Sequence, residues 1–148
     1  MEAIAWLIFI GVAIWFGAQI RRGYRGEDLD HSTDARTPGT FAVEVVGESN
    51  YQQALETICG GRSRDGAEEH ITATLVLEDS NPHDKNAVRV DIAGNTVGYL
   101  SRPDARSYRQ RLKQNGDDSS KQTCRALIRG GWDRGRNDRG NFGVRLDL

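Results

Sequence analysis

Apolar residues crowd the start of the chain and thin out abruptly afterwards: 16 of the first 20 positions are apolar, against 39 of the remaining 128. From Ala3 to Ile20 no charge interrupts the run. As a helix it would extend roughly 27 Å at about 1.5 Å per residue, close to the roughly 30 Å hydrocarbon core of a bilayer. Glu2 precedes the run and Arg21, Arg22 and Arg25 follow it, the reverse of the charge order in a cleaved signal peptide. The expectation is an uncleaved N-terminal transmembrane helix over residues 3–20. The arginines behind it would keep the rest of the chain on the cytoplasmic side of the inner membrane. The alternative is a core helix, but one apolar on every face and carrying Trp6 and Trp15 suits a small domain poorly. Residues 21–40 retain only Tyr24, Leu29 and Ala35 as apolar positions and balance four arginines against four acids, which predicts a flexible linker ending near Pro38 and Gly39.

From Phe41 onward the pattern becomes short and strand-like, beginning with alternation of Phe41, Val43 and Val45 over residues 41–47. A short helix is expected over 51–59, stopped by Gly60 and Gly61. Strands follow over 72–78, 87–92 and 96–100, the last two joined by a tight turn at Ala93-Gly94-Asn95. Residues 101–114 read as a second helix, with Ser101-x-x-Asp104 at its start and Pro103 in its first turn. Strands over 124–129 and 142–148 complete the chain. Six short strands and two short helices predict a mainly β domain over 41–148, a small, partly closed six-stranded barrel.

Composition adds constraints on function. In 148 residues the net charge is only -1, so no global field points to nucleic acid or membrane. That neutrality hides an internal asymmetry: residues 41–100 sum to -6 and residues 101–148 to +6. At about 100° per residue, Arg102, Arg106, Arg109 and Lys113 form one stripe of the second helix, beside an apolar stripe of Ala105, Tyr108 and Leu112. With the apolar stripe on the barrel, the basic one turns outward, either as a phosphate-tracking surface or as an ordinary solvated face. No phosphate-binding loop, nucleophile elbow, zinc-protease or C-x-x-C motif occurs. Cys59 and Cys124 have no histidine spaced as a dyad, and His31, His70 and His83 match no zinc pattern. No catalytic residue, metal or cofactor is therefore expected.

The segment Asn81-Pro82-His83-Asp84-Lys85-Asn86-Ala87-Val88, then Val97-Gly98-Tyr99-Leu100 and Ala105, resembles the HIRAN domain, with its N-P-x-D-x-N-A-[VI] core and V-G-[YH]-L continuation. Val45-Val46-Gly47 and Tyr51 fit that family's first strand and the turn beyond it, and residues 130–148 look like the closing strands of bacterial members. The resemblance implies an OB-like barrel that captures the 3′ end of single-stranded DNA in a shallow pocket. By motif position it implies that Asn81 and Asp84 hydrogen-bond the terminal nucleotide, that Tyr51 stacks a base, and that Tyr99 and Arg102 contact the strand end. His83 stands where the family usually has a second stacking tyrosine. In relatives the module is joined to ATPase and zinc-binding domains, so those activities are implied to belong to the neighbours.

The residues themselves leave a second reading open for the motif, because Asn-Pro followed by Asp is a turn signal and Asp84 and Asn86 could simply tie two strands together. Residues 130–141 allow either a phosphate-contacting Arg and Gly loop with Trp132 as a stacking ring, or a long hairpin with Trp132 packed on the barrel. The leading expectation is a membrane-tethered, non-enzymatic module that binds a nucleic-acid single strand or 3′ end through Tyr51, Asn81, His83, Asp84, Tyr99, Arg102, Arg106, Arg109 and Lys113. A protein or peptide partner in the same pocket and on the barrel edge is the alternative. A hydrolase using Asp84 and His83 ranks below both.

Overall fold

The structure is a computed structural model that describes residues 39–148. The span expected over 3–20, and the linker expected over 21–40 except for its last two residues, lie outside the described residues. Among the described residues no helix is long and apolar enough to cross a membrane. The elements run β1 (Val43–Val46), a single 3-10 turn (Glu48–Asn50), α1 (Gln52–Ile58), β2 (Ala67–Leu77), β3 (Val88–Ile92), β4 (Asn95–Leu100), α2 (Arg102–Gln114), β5 (Lys121–Gly130) and β6 (Phe142–Asp147).

The strands form a closed barrel in the order β1-β4-β3-β2-β5-β6, with β6 returning to β1 and every pair antiparallel. Strict alternation builds its wall. In β3, Val88, Val90 and Ile92 are fully buried while Arg89 and Asp91 lie between them on the outer face. Leu75, Val97, Ile128, Val144 and Leu146 fill the interior from the other staves. Each contributes on the order of 1.5–3 kcal/mol of burial.

The sequence pattern predicts a partly closed barrel, and the structure closes it fully: the four residues of β1 bridge the two edges, Val45 facing Leu100 of β4 and Val43 facing Leu146 of β6. This close approach depends on Gly98, whose φ is +153° and where any Cβ would run into the Val45 side chain and the Val46 carbonyl. β2 also begins at Ala67, five residues before the expected start. Glu68, Glu69 and His70 are exposed and pair only with β5, so that half of the strand shows no apolar alternation.

Both helices close over the wall. Leu55 of α1 is completely buried. The Gln52 side-chain amide imitates a strand partner at the start of β6, donating to the Phe142 carbonyl at 2.9 Å and accepting from the Phe142 N–H at 2.8 Å. In α2 the Ser101 hydroxyl accepts the Asp104 N–H at 3.2 Å as an N-cap, and Ala105, Tyr108 and Leu112 face the core. Ahead of β1, the Thr40 N–H donates to Asp147 Oδ1 at 3.1 Å, holding the start of the domain against its last strand.

Candidate nucleic-acid interface

The loop between β2 and β3 organises itself before any ligand arrives. Asn81 Oδ1 accepts the N–H groups of His83 (2.9 Å) and Asp84 (3.2 Å), and Asn81 Nδ2 donates to Glu78 Oε2 at 2.8 Å. Asp84 Oδ1 accepts the Asn86 N–H at 2.8 Å. The turn-tying role therefore describes Asn81 and one oxygen of Asp84. The other oxygen, Oδ2, faces Arg102 Nε at 3.7 Å, with 72% of the Arg102 side chain exposed. The His83 residue is exposed at the tip of the turn.

Beside the turn, cross-strand register lines up a row of side chains on the outside of the barrel. Val46 of β1 faces Tyr99 of β4, and Tyr99 faces Arg89 of β3. Directly paired residues share a face and stand about 4.5–5.5 Å apart, so the row is continuous across three strands. Val46 is 43% exposed, unusual for a valine in so small a barrel. Burial, the Glu78 carboxylate and the Tyr51 phenol push the Tyr99 phenol pKa up.

Arg89 is fixed on three sides. Its Nη1 donates to Glu78 Oε1 at 2.6 Å, and Nε and Nη2 donate to the two oxygens of Asp91 at 2.9 and 3.0 Å. Thr96 also donates to Asp91. The paired acids, led by Asp91, raise the guanidinium pKa still further. Neither Arg89 nor Glu78 was among the residues that the motif selected. Their only sequence signal is Arg89-x-Asp91 on the outer face of an alternating strand.

The four-residue basic stripe on α2 is not uniform. Arg102 and Arg106 are exposed near its start. Arg109, expected to point outward with them, is instead drawn back onto the β2–β3 loop. Its Nε and Nη2 donate to the carbonyls of Asn86 and Ala87, both at 2.9 Å, and its Nη1 donates to Asp79 at 2.6 Å. Two loop carbonyls and a carboxylate lie within reach of its long side chain, the Ala87 carbonyl accepting from Arg109 alongside the Glu78 N–H, so it clamps the helix to the turn. Lys113 is exposed but lines a groove together with Asp79, Asp117 and Asp118.

Elsewhere, the 131–141 segment takes the hairpin form with a packed tryptophan. Gly140 lies against the Trp132 ring, whose Nε1 donates to Asp138 at 2.8 Å. Arg139 pairs with Asp133 and Arg134 with Asp138. Burial, aided by Glu69 for Cys59 and Asp147 for Cys124, pushes the two thiols up to about 11 and about 12, far from the reactive thiolate range. Among the described residues no group of His, Cys, Asp and Glu is placed to hold a metal ion.

The chain thus forms a closed antiparallel barrel whose outer wall carries the row of Val46, Tyr99 and Arg89 beside a pre-tied polar turn, and small barrels of this kind commonly present ligand surfaces on that wall. The family model of the HIRAN domain matches residues 38–127, well over half of the chain, and the chain belongs to that family. HIRAN domains are in general DNA-binding modules. The match ends inside β5, so β6, which closes the barrel, lies beyond it. No curated protein and no solved structure matches the chain.

Proposed function

We propose that the domain binds the 3′ end of single-stranded DNA without transforming it, and that residues 3–20 tether it to the inner membrane with the barrel on the cytoplasmic side. The observation that supports the reading is Asp84 facing the exposed Arg102 just past the end of β4, three residues beyond Tyr99. Tyr51 and Tyr99 offer rings for stacking. Asp84 Oδ2, left over from the turn, accepts a terminal hydroxyl, and Arg102 and Arg106 meet the phosphates behind it. Asn81 acts by shaping the turn, since its amide is already engaged with Glu78 and the loop.

The test mixes the protein with single strands ending in a free or a blocked 3′-hydroxyl. A free end should bind more tightly, and Tyr51→Ala should cost about 1–3 kcal/mol of binding while the domain stays folded. Equal affinity for both ends would remove the end-capture role of Asp84. The tether has its own check: a reporter fused after Leu148 should resist external protease in intact cells, and ready digestion would overturn the assignment. A peptide partner is the second reading, favoured by the exposed Val46 next to Tyr99. Binding of a partner chain with indifference to both DNA ends would select it.

A further inference from the structure

Next to the row of Val46, Tyr99 and Arg89 lies a shallow groove of about 590 Å³, lined by Val76, Glu78, Asp79, Asn81, Pro82 and Arg89 among others. None of its polar groups offers a free positive charge. Arg89 is the only cation among the described residues that line it, and Glu78 and Asp91 hold it in three hydrogen bonds. Counting Glu78, Asp79 and Asp91 against Arg89 and the Arg109 paired to Asp79, the neighbourhood is still net negative, which disfavours a phosphate. The guanidinium is nevertheless a fixed, partly exposed plane in register with the Tyr99 ring, one strand further along the same outer face. Arginine planes held in this way stack nucleobases.

The edge of the groove is equally selective. Asp79 is 80% exposed, and Arg109 donates to only one of its oxygens. Each oxygen of Glu78 accepts one bond, from Arg89 or from Asn81, and a carboxylate oxygen has room for a second donor. The groove thus presents carboxylate acceptors beside a stacking plane. A base with an exocyclic amine satisfies them, whereas the matching oxygen of thymine meets like partial charge.

We propose that this groove is a base subsite in which Arg89 is the stacking plane and Asp79 and Glu78 select a nucleobase bearing an exocyclic amine, cytosine or adenine over thymine. The proposal rests on the single-strand reading above and adds to it a preference in composition. Arg89 touches the base directly, Glu78 both holds its plane and accepts from the base, and Asp91 is a positioning residue.

The experiment compares the full chain binding to oligo-dC and oligo-dT of equal length, both with free 3′ ends. The two differ at C4, amine against carbonyl, and at the thymine methyl, so oligo-dU serves as a methyl-free control. Oligo-dC should bind about tenfold more tightly than oligo-dT and oligo-dU, the scale of one charge-assisted hydrogen bond. Asp79→Asn sits on an exposed side chain and should leave the fold intact while narrowing that ratio toward one. Arg89→Lys keeps the charge but removes the plane, and should weaken both strands, judged only if thermal unfolding remains cooperative. Equal binding of oligo-dC and oligo-dT, or a ratio unmoved by Asp79→Asn, overturns the subsite while leaving the single-strand reading in place. Binding of neither oligonucleotide overturns both.

Discussion

At the start of α2, Arg102 leaves most of its side chain in solvent and faces Asp84 at 3.7 Å. Two turns further along, Arg109 leaves 15% exposed and donates three hydrogen bonds to the β2–β3 loop. On a helical wheel the two are equivalent. What separates them is the backbone they meet. Near Arg102 the loop has turned its polar groups inward through Asn81 and Asp84, whereas beside Arg109 the carbonyls of Asn86 and Ala87 and the Asp79 carboxylate are placed to accept from the helix. A basic stripe in a sequence therefore counts charges without saying which of them are available to a ligand.

The contrast between the two arginines can be broken most directly by stability. Arg109→Ala should lower the unfolding free energy by about 2 kcal/mol, because it removes three hydrogen bonds between helix and loop, while Arg102→Ala should change it by less than about 0.5 kcal/mol. Urea denaturation of both variants decides it, and equal losses would erase the distinction. The binding side of the same contrast is read by salt. Replacing Arg102 and Arg106 together with Gln should flatten the slope of log affinity against log salt by about 1.4, at about 0.7 for each phosphate no longer neutralised. Arg109→Gln should leave that slope almost unchanged.

The buried face of α2 supplies a pH test. Tyr108 donates to Gln122 at 3.2 Å, and burial, reinforced by Cys124 and Asp117, pushes its pKa up to about 12 from an ordinary value of 10. A group whose folded pKa is raised stabilises fully below its unfolded pKa and loses that contribution as pH rises through the folded one. Stability should therefore fall between about pH 10 and 12, and Tyr108→Phe should make that decline shallower in chemical denaturation across the alkaline range. The smallest effect is expected for Lys113→Gln. With Asp79, Asp117 and Asp118 lining the same groove, a strand has little to gain there, and the salt slope should move by less than for either Arg102 or Arg106 singly.

Local signals made part of this fold legible in advance. Val88, Val90 and Ile92 alternate without interruption, the 93–95 turn joins β3 to β4, and the Ser101 cap starts α2 where the sequence placed it. The first half of β2 escaped because Glu68, Glu69 and His70 face solvent and are held by β5 alone, a partner more than fifty residues away. The site divides along the same line. Asp84 and Tyr99 belong to the 81–88 motif and its 97–100 continuation, and the family resemblance adds Tyr51 and Arg102. The fixed plane of Arg89 depends on Glu78 from beyond the neighbouring strand and on a register that no local pattern encodes. The inward turn of Arg109 likewise depends on which loop acceptors the tertiary fold brings beneath the helix.

Because β1 and β6 are neighbours, with Val43 opposite Leu146 and Thr40 bonded to Asp147, the barrel begins and ends at one spot on its surface. A module whose two ends meet is portable. It can be spliced into a loop of another protein without prying that host apart, and its own termini can be relocated. Joining residues 39 and 148 through a short glycine bridge and opening the chain at the Asp117–Ser120 turn should give a circular permutant that keeps the native barrel. If the permutant folds, the order in which the staves are made is separable from the arrangement they reach.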